Sequence, residues 1–126
     1  MSVWTFFDFL EADGGNAIRA WLQDLPQEAQ AKIDARLLQM AGMESWPEKW
    51  ISTYKGYEKI IELRVSCNKV QYRPLGFYGR LRHQFTLLIG AIEKDNRIPR
   101  SVLQTAVDRM IIVRADGRRV CEHRFD

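Results

Sequence analysis

The chain predicts an α+β domain: a small, mainly antiparallel sheet covered by an N-terminal αα-hairpin, with one further helix near the C-terminal end. Three observations carry that expectation. Residues 60–65, 70–77 and 85–92 are strand-length apolar runs rich in β-branched and aromatic side chains. The polar breaks between them are short enough for hairpins, so the simplest arrangement is a three-stranded antiparallel meander. Ahead of the meander two apolar stripes recur at helical spacing, and a third follows it.

In chain order, residues 3–10 read VWTFFDFL, apolar on both faces except at Thr5 and Asp8. That is the pattern of a strand inside a sheet rather than at its edge. Gly14-Gly15 break it, and Asn16 is placed to cap the helix that follows. Ile18, Trp21, Leu22 and Leu25 line one face of this helix. Pro26 ends it and suits the first position of the next helix, where the missing N–H is not needed. Ala29, Ile33, Leu37 and Met40 form the second stripe, and Gly42 stands where a left-handed C-terminal cap is expected. Neither stripe buries itself alone, so the pair must cover the sheet.

Residues 43–56 connect this hairpin to the meander and carry Trp46, Trp50 and Tyr54, with Tyr57 just beyond. Exposed aromatics stack on bases or grip partners, but for each tryptophan, packing against the helices is the more common use. Beyond the meander, Pro99 opens a third helix buried along Val102, Leu103, Ala106, Val107 and Met110. Asp116-Gly117 marks a turn. The tail RRVCEHRFD alternates only weakly, leaving a short strand, an arm and a disordered end all open. One domain fits the 126 residues, with a core at about 1–113 and a tail at 114–126.

Charge is distributed unevenly. The total of +3 at pH 7 conceals a basic meander, in which Lys55, Lys59, Arg64, Lys69, Arg73, Arg80 and Arg82 face only Glu58 and Glu62. Residues 1–53 are net acidic. A basic sheet attracts phosphates, although a solvated strand face has the same composition. With 46% hydrophobic and 28% charged residues the chain is globular rather than disordered. Cys67 and Cys121 lack the close pairing of a zinc site and fit reduced thiols. No apolar stretch approaches the length of a membrane span, and the N-terminus lacks the pattern of a secretion signal, so a cytoplasmic protein is expected.

Several short motifs fall in a telling order: Glu62-Leu63-Arg64, Tyr72-Arg73, the run LLIGAIEK at 87–94, and Ile98-Pro99 followed by Ala106. The chain resembles the RelE/ParE superfamily of toxin–antitoxin toxins, in particular its phage-derived, HigB-like branch. The resemblance covers roughly residues 1–113. It implies a RelE-like fold and a toxin that cuts mRNA in the ribosomal A site, without metal or cofactor, and is silenced by a cognate antitoxin, a small helix-turn-helix protein. Arg64, Arg73 and Lys94 match the family's conserved basic residues. The departures are specific. Ile60 and Glu62 stand where several members carry lysine, and the branch's double lysine is here Glu93-Lys94. Pro74 interrupts the second meander strand, which implies a bulge or an edge position. The family's C-terminal catalytic aromatic or histidine has no clear counterpart, His123 being the nearest. Inhibition of a protein target such as DNA gyrase, and a non-toxic phage-derived binding protein, are the competing functions.

Cleaving RNA through its own 2′-hydroxyl needs a base, a cation facing the pentavalent phosphate, and an acid for the leaving 5′-oxygen. Arg73 is the first choice for the cation because a guanidinium matches phosphate oxygens, with Arg64 beside it if the hairpin register allows. A structural pair of Arg64 with Glu62 or with a helix acid is an equal alternative. Glu62 or Glu93 is the candidate base if partly desolvated. Tyr72, Tyr78, His83 and His123 are weaker ones. Arg80, Arg82 and His83 read as a phosphate-gripping hairpin tip, and Lys59, Lys69 and Arg97 extend the expected RNA-binding surface.

Overall fold

The computed structural model describes residues 2–125. It is a mixed α+β fold in which a seven-stranded sheet separates two helical layers. The first strand, β1 (Thr5–Phe9), is followed by α1 (Ala17–Gln23) and α2 (Gln27–Ala41). A 3-10 turn (Glu48–Trp50) leads into the two-residue β2 (Ile51–Ser52). Then come β3 (Ile61–Leu63), β4 (Val65–Cys67), β5 (Val70–Tyr78) and β6 (Gln84–Ile92). The chain closes with α3 (Arg100–Ala115) and β7 (Val120–Glu122).

The sheet order is β2-β3-β5-β6-β1-β7, with β4 also paired to β5. The expected meander is present as β3/β4, β5 and β6, all antiparallel. The first strand is interior, as its double-sided apolar pattern requires, running parallel to β6 and antiparallel to β7. Alternation along β1 sorts its side chains: Phe6 joins the core under α1 and α2, and Phe9 the core under α3. The first core unites Ile18, Leu22, Ile33, Leu37 and Met40 with Leu63, Val65, Tyr72 and Phe85. The second unites Leu75, Phe77 and Leu88 with Leu103, Ala106, Met110 and Val113.

Local chemistry explains most of the boundaries. The Asn16 side chain accepts N–H bonds from Ile18 (3.0 Å) and Arg19 (2.8 Å), capping α1 as its position suggested. Pro26 and Pro99 sit one position before the first helical residue rather than on it. Gly42 caps α2 in the right-handed region (φ −88°) and not the expected left-handed one. Trp46 and Trp50 pack on the first core, with the Trp46 indole N–H donating to Met40 O.

Pro74 acts in a third way, neither at an edge nor at a bulge. It pairs with Gly90 of β6 inside the sheet, and on its other side it stands where the β3–β4 strand is broken. Proline has no N–H to offer that neighbour. The peptide groups of Arg64 face away from β5: its N–H donates to Trp50 O (2.9 Å), one step on from the β2–β3 pairing, and its C=O accepts from Arg36 Nη1 (2.7 Å). The bulge lies one step on, where Leu75 and Gly76 face Ile89 and Leu87. The extra residue in β6, Leu88, belongs to the α3-side core, as does its neighbour Ile89.

The tail is integrated into the sheet. β7 pairs with β1 in register Phe9↔Val120 to Phe7↔Glu122, and His123 is buried. No helix among the described residues is long and apolar enough to cross a membrane.

Candidate nucleic-acid interface

The interrupted strand builds a site. Where Arg64 leaves the ladder, α2 and the 3-10 turn approach the sheet edge and enclose an open cleft of about 380 Å³. Five bases line it: Lys32 and Arg36 from α2, Lys49 from the 3-10 turn, Arg64 from the strand break and Arg73 from β5. Trp50, Ser66 and Gln71 complete the lining, in which the described residues include no carboxylate. Arg36 lies 4.2 Å over the Trp50 ring, so one cation is fixed on an aromatic platform. Burial lowers its pKa from the usual guanidinium range.

Arg73 sits at the back of this cleft and is largely enclosed, its side chain 8% exposed. Its Nε donates to Glu93 Oε2 at 2.8 Å and lies 3.5 Å from Glu62 Oε1. Its Nη1 donates to Tyr72 O (3.1 Å) and its Nη2 to Gln71 Oε1 (3.3 Å). The residue expected to be the foremost phosphate ligand is thus neutralised by two acids, and only an edge of it reaches the cleft.

Glu62 is equally committed. It accepts from Ser52 Oγ (2.8 Å), from the Tyr54 hydroxyl and from Arg64 Nε (3.2 Å) while 2% exposed. Burial and this bond to Glu62 push the Tyr54 phenol well above its usual range, so it stays a proton donor to the carboxylate. Glu62 therefore organises the site from behind and does not offer a free oxygen as a base. Arg64 makes the structural pair expected as one alternative, with Glu62 through Nε, and its side chain, 47% exposed, lines the cleft.

The remaining candidates do not converge. Lys69 occupies the β4–β5 turn in the left-handed region (φ 66°), exposed at the end of the sheet nearest Gln71. Lys94 and Arg97 are exposed in the β6–α3 turn at that same end, where the Glu93 N–H bonds Gln71 O. None of the three lines the cleft. The hairpin tip with Arg80, Arg82 and His83 lies at the opposite end of β5. Five residue steps of strand, roughly 17 Å, separate Arg73 from the end of β5 at Tyr78, and Arg80 lies beyond that end. One RNA-binding surface cannot be assembled from both ends of the strand within this short cleft. Lys59 is also remote, lining grooves beside Met110 and Phe77.

Both histidines are removed from the list of candidate bases at the cleft. His83 is at the tip, 3.2 Å from Glu44 and edge-on to Trp4. His123 has a fully enclosed side chain, with Nδ1 2.8 Å from Asp8 and Nε2 2.9 Å from Asp34. Tyr72 is buried in the first core, and Tyr78, with its pKa raised by burial, belongs to the aromatic group around Trp4 and Trp46.

Sequence reasoning missed Lys32, Arg36 and Lys49, and weighed Trp50 only as one of several aromatics. The available signal was an i, i+4 pair of bases flanking the buried stripe of α2, together with Lys49-Trp50 in the connection.

Residues 20–111 match the family model described as phage derived protein Gp49-like (DUF891). The chain belongs to the phage-derived Gp49-like family. That family is a toxin-like module of the Gp49/RelE type, and membership suggests a toxin-like function for this chain. Every base of the cleft lies within the Gp49-like span, whereas β7 and His123 fall beyond it. No curated protein matches the chain.

Proposed function

We propose that this Gp49-like protein is the toxin of a type II toxin–antitoxin module, of the HigB-like branch, and inhibits translation in the cytoplasm by cutting mRNA on the ribosome. The observation that supports this reading is the edge cleft, where five bases converge on a lining without a carboxylate. Such a cleft suits a phosphodiester backbone and little else of comparable abundance. Lys32, Lys49 and Arg64, the exposed bases, grip the phosphates. Arg36 carries its charge beside Trp50, on which a base can stack. Arg73, its charge offset by Glu62 and Glu93, forms the back wall and presents an N–H edge to the phosphate. Lys94, Lys69 and Arg97 extend the field along the same end of the sheet. The module's antitoxin, a small helix-turn-helix protein, is the silencing partner, and the reaction needs no metal or cofactor.

A second reading, inhibition by binding without cleavage, is favoured by one observation. The lining offers no imidazole or free carboxylate to take the 2′-hydroxyl proton. Controlled expression in a bacterium, followed by transcriptome-wide mapping of mRNA 5′ ends, separates the two. Growth arrest with new ends at fixed positions within codons supports cleavage. Arrest without new ends supports binding alone, and DNA damage would point to a gyrase-type target. Normal growth removes the toxin reading.

A further inference from the structure

A second cavity exceeds the basic cleft in volume. A pocket of about 440 Å³ lies on the α3 side of the sheet, at the end carrying the β5–β6 hairpin tip. Phe7, Leu81, Val113 and Val120 give it apolar walls, and Gln84, Thr86 and Arg80 its polar groups. The Arg80 guanidinium rests on the turn after α3, where a Cβ added to Gly117 would come within 1.8 Å of its Nη1. Among the described residues this guanidinium has neither a hydrogen bond nor an ion pair. An unpaired cation beside an apolar pocket calls for an anion carried on an apolar body.

A second feature borders the same pocket. β7, which supplies Val120, ends the strand order and is paired on one side only, to β1. The bonds from His123 N to Phe6 O (2.9 Å) and from Leu10 N to Arg119 O (2.8 Å) turn residues 119 and 123 toward β1. Strand alternation then turns the main-chain groups of Val120 and Glu122 outward.

We propose that this end of the molecule docks an extended segment of a protein partner, which adds a strand along β7, seats an aliphatic side chain in the pocket and places a carboxylate on Arg80. A peptide fits better than RNA for two reasons. The walls are mainly aliphatic, and the one aromatic among the residues named, Phe7, is half-buried, so no open ring face is offered to a base. The outward N–H and C=O groups of an edge strand are matched in register by another peptide backbone. Glu122, paired with Phe7, puts an acid on the same face of β7. The partner's acidic position therefore belongs at the Arg80 end of the pocket rather than along β7.

Fluorescence anisotropy with a labelled seven-residue peptide, Ser-Glu-Ser-Val-Ser-Glu-Ser, whose central valine and flanking glutamates share one strand face, tests the proposal on the intact chain. The expected result is binding at least about tenfold tighter than that of the counterpart with lysine in place of each glutamate, with a loss of about tenfold in Arg80→Glu. Methylating one alternate set of the peptide's amide nitrogens should abolish binding, and methylating the other set should not. Arg80→Glu alters an exposed, unpaired residue, so its urea unfolding midpoint should match that of the wild type. Arg64→Ala, in the edge cleft, should leave peptide binding unchanged, which keeps this test separate from the RNA reading. Equal binding of the two peptides, indifference to Arg80→Glu, or tolerance of both methylation patterns overturns the proposal. So does displacement of the peptide by a seven-nucleotide RNA whose own binding needs Arg80, since the surface would then be a nucleic-acid site.

Discussion

Arg73 donates its Nε–H to Oε2 of Glu93 at 2.8 Å, tying the middle of β5 to the residue just past β6. The bond is largely enclosed, and Glu62 faces the same guanidinium from β3. Arg73 is therefore a structural cation before it is a ligand for RNA. Arg73→Ala should remove function and also destabilise the fold, by about 3–5 kcal/mol, because two carboxylates are left in the sheet without their counter-charge. Urea unfolding measures the loss. Adding Glu93→Gln should recover part of it, giving a coupling energy in a double-mutant cycle. Independent, additive effects of the two changes would contradict the pairing.

Arg64 gives the cleaner test of the cleft. Its side chain is nearly half exposed and its bond to Glu62 is a partly solvated one, so Arg64→Ala should change stability by less than about 1 kcal/mol. Its effect belongs in RNA binding. On single-stranded RNA the salt dependence should flatten by about 0.7 in log–log slope for each phosphate contact removed, and so about twice as much for Arg64→Ala/Lys49→Ala. Undiminished growth arrest by the Arg64→Ala/Arg73→Ala double variant would exclude the cleft as the working surface.

Gly90 faces α1. A Cβ placed there would lie 1.9 Å from Trp21 Cδ2, in the ring that covers the sheet at this point. Gly90→Ala must displace the indole, and overpacking of this kind costs about 1–3 kcal/mol. The expected readout is a lower unfolding midpoint together with a change in near-ultraviolet circular dichroism. Gly90→Ala/Trp21→Ala should not add the two losses.

The element order was readable because each run carries its own period: the meander, the interior first strand, the Asn16 cap and the three buried helical stripes need no tertiary knowledge. The split of β3 from β4 was not readable. It depends on which residue stands opposite Pro74, and that register follows from the whole hairpin. The cleft was half legible. Arg64 and Arg73 stood out in a basic segment, but Lys32, Arg36 and Lys49 lie in the net-acidic residues 1–53 and gain their meaning only when α2 meets the broken strand edge. Linear charge counting also joined Arg80 and Arg82 to Arg73, although a strand's length separates them. His123 was illegible for a similar reason, since its partners Asp8 and Asp34 come from β1 and α2.

That last residue gives a pH dependence with a definite sign. Both ring nitrogens of His123 face carboxylate oxygens, Asp8 on Nδ1 and Asp34 on Nε2. A neutral imidazole has one N–H and cannot donate to both, so the ring is an imidazolium. Burial alone would lower its pKa, but the hydrogen bonds and charges of Asp34 and Asp8 outweigh it and raise the value from the usual 6.5 to about 9. A folded pKa above the unfolded one gives stability that is complete below about pH 6.5 and is lost as pH rises through about 9. The contribution is on the order of 3 kcal/mol. Cys121 shares Asn16 with Asp8, and burial raises its thiol pKa as well, so it adds to the loss at the alkaline end. Urea midpoints measured from pH 6 to pH 10 should fall through this window, and Cys121→Ser should keep the decline below about pH 8.5. His123→Ala should be less stable at every pH in the range, because Asp8 is buried without its partner, and its curve should lack the decline between pH 6.5 and 8.5. A wild-type midpoint that is flat across that interval would show that the ring is not held as a cation.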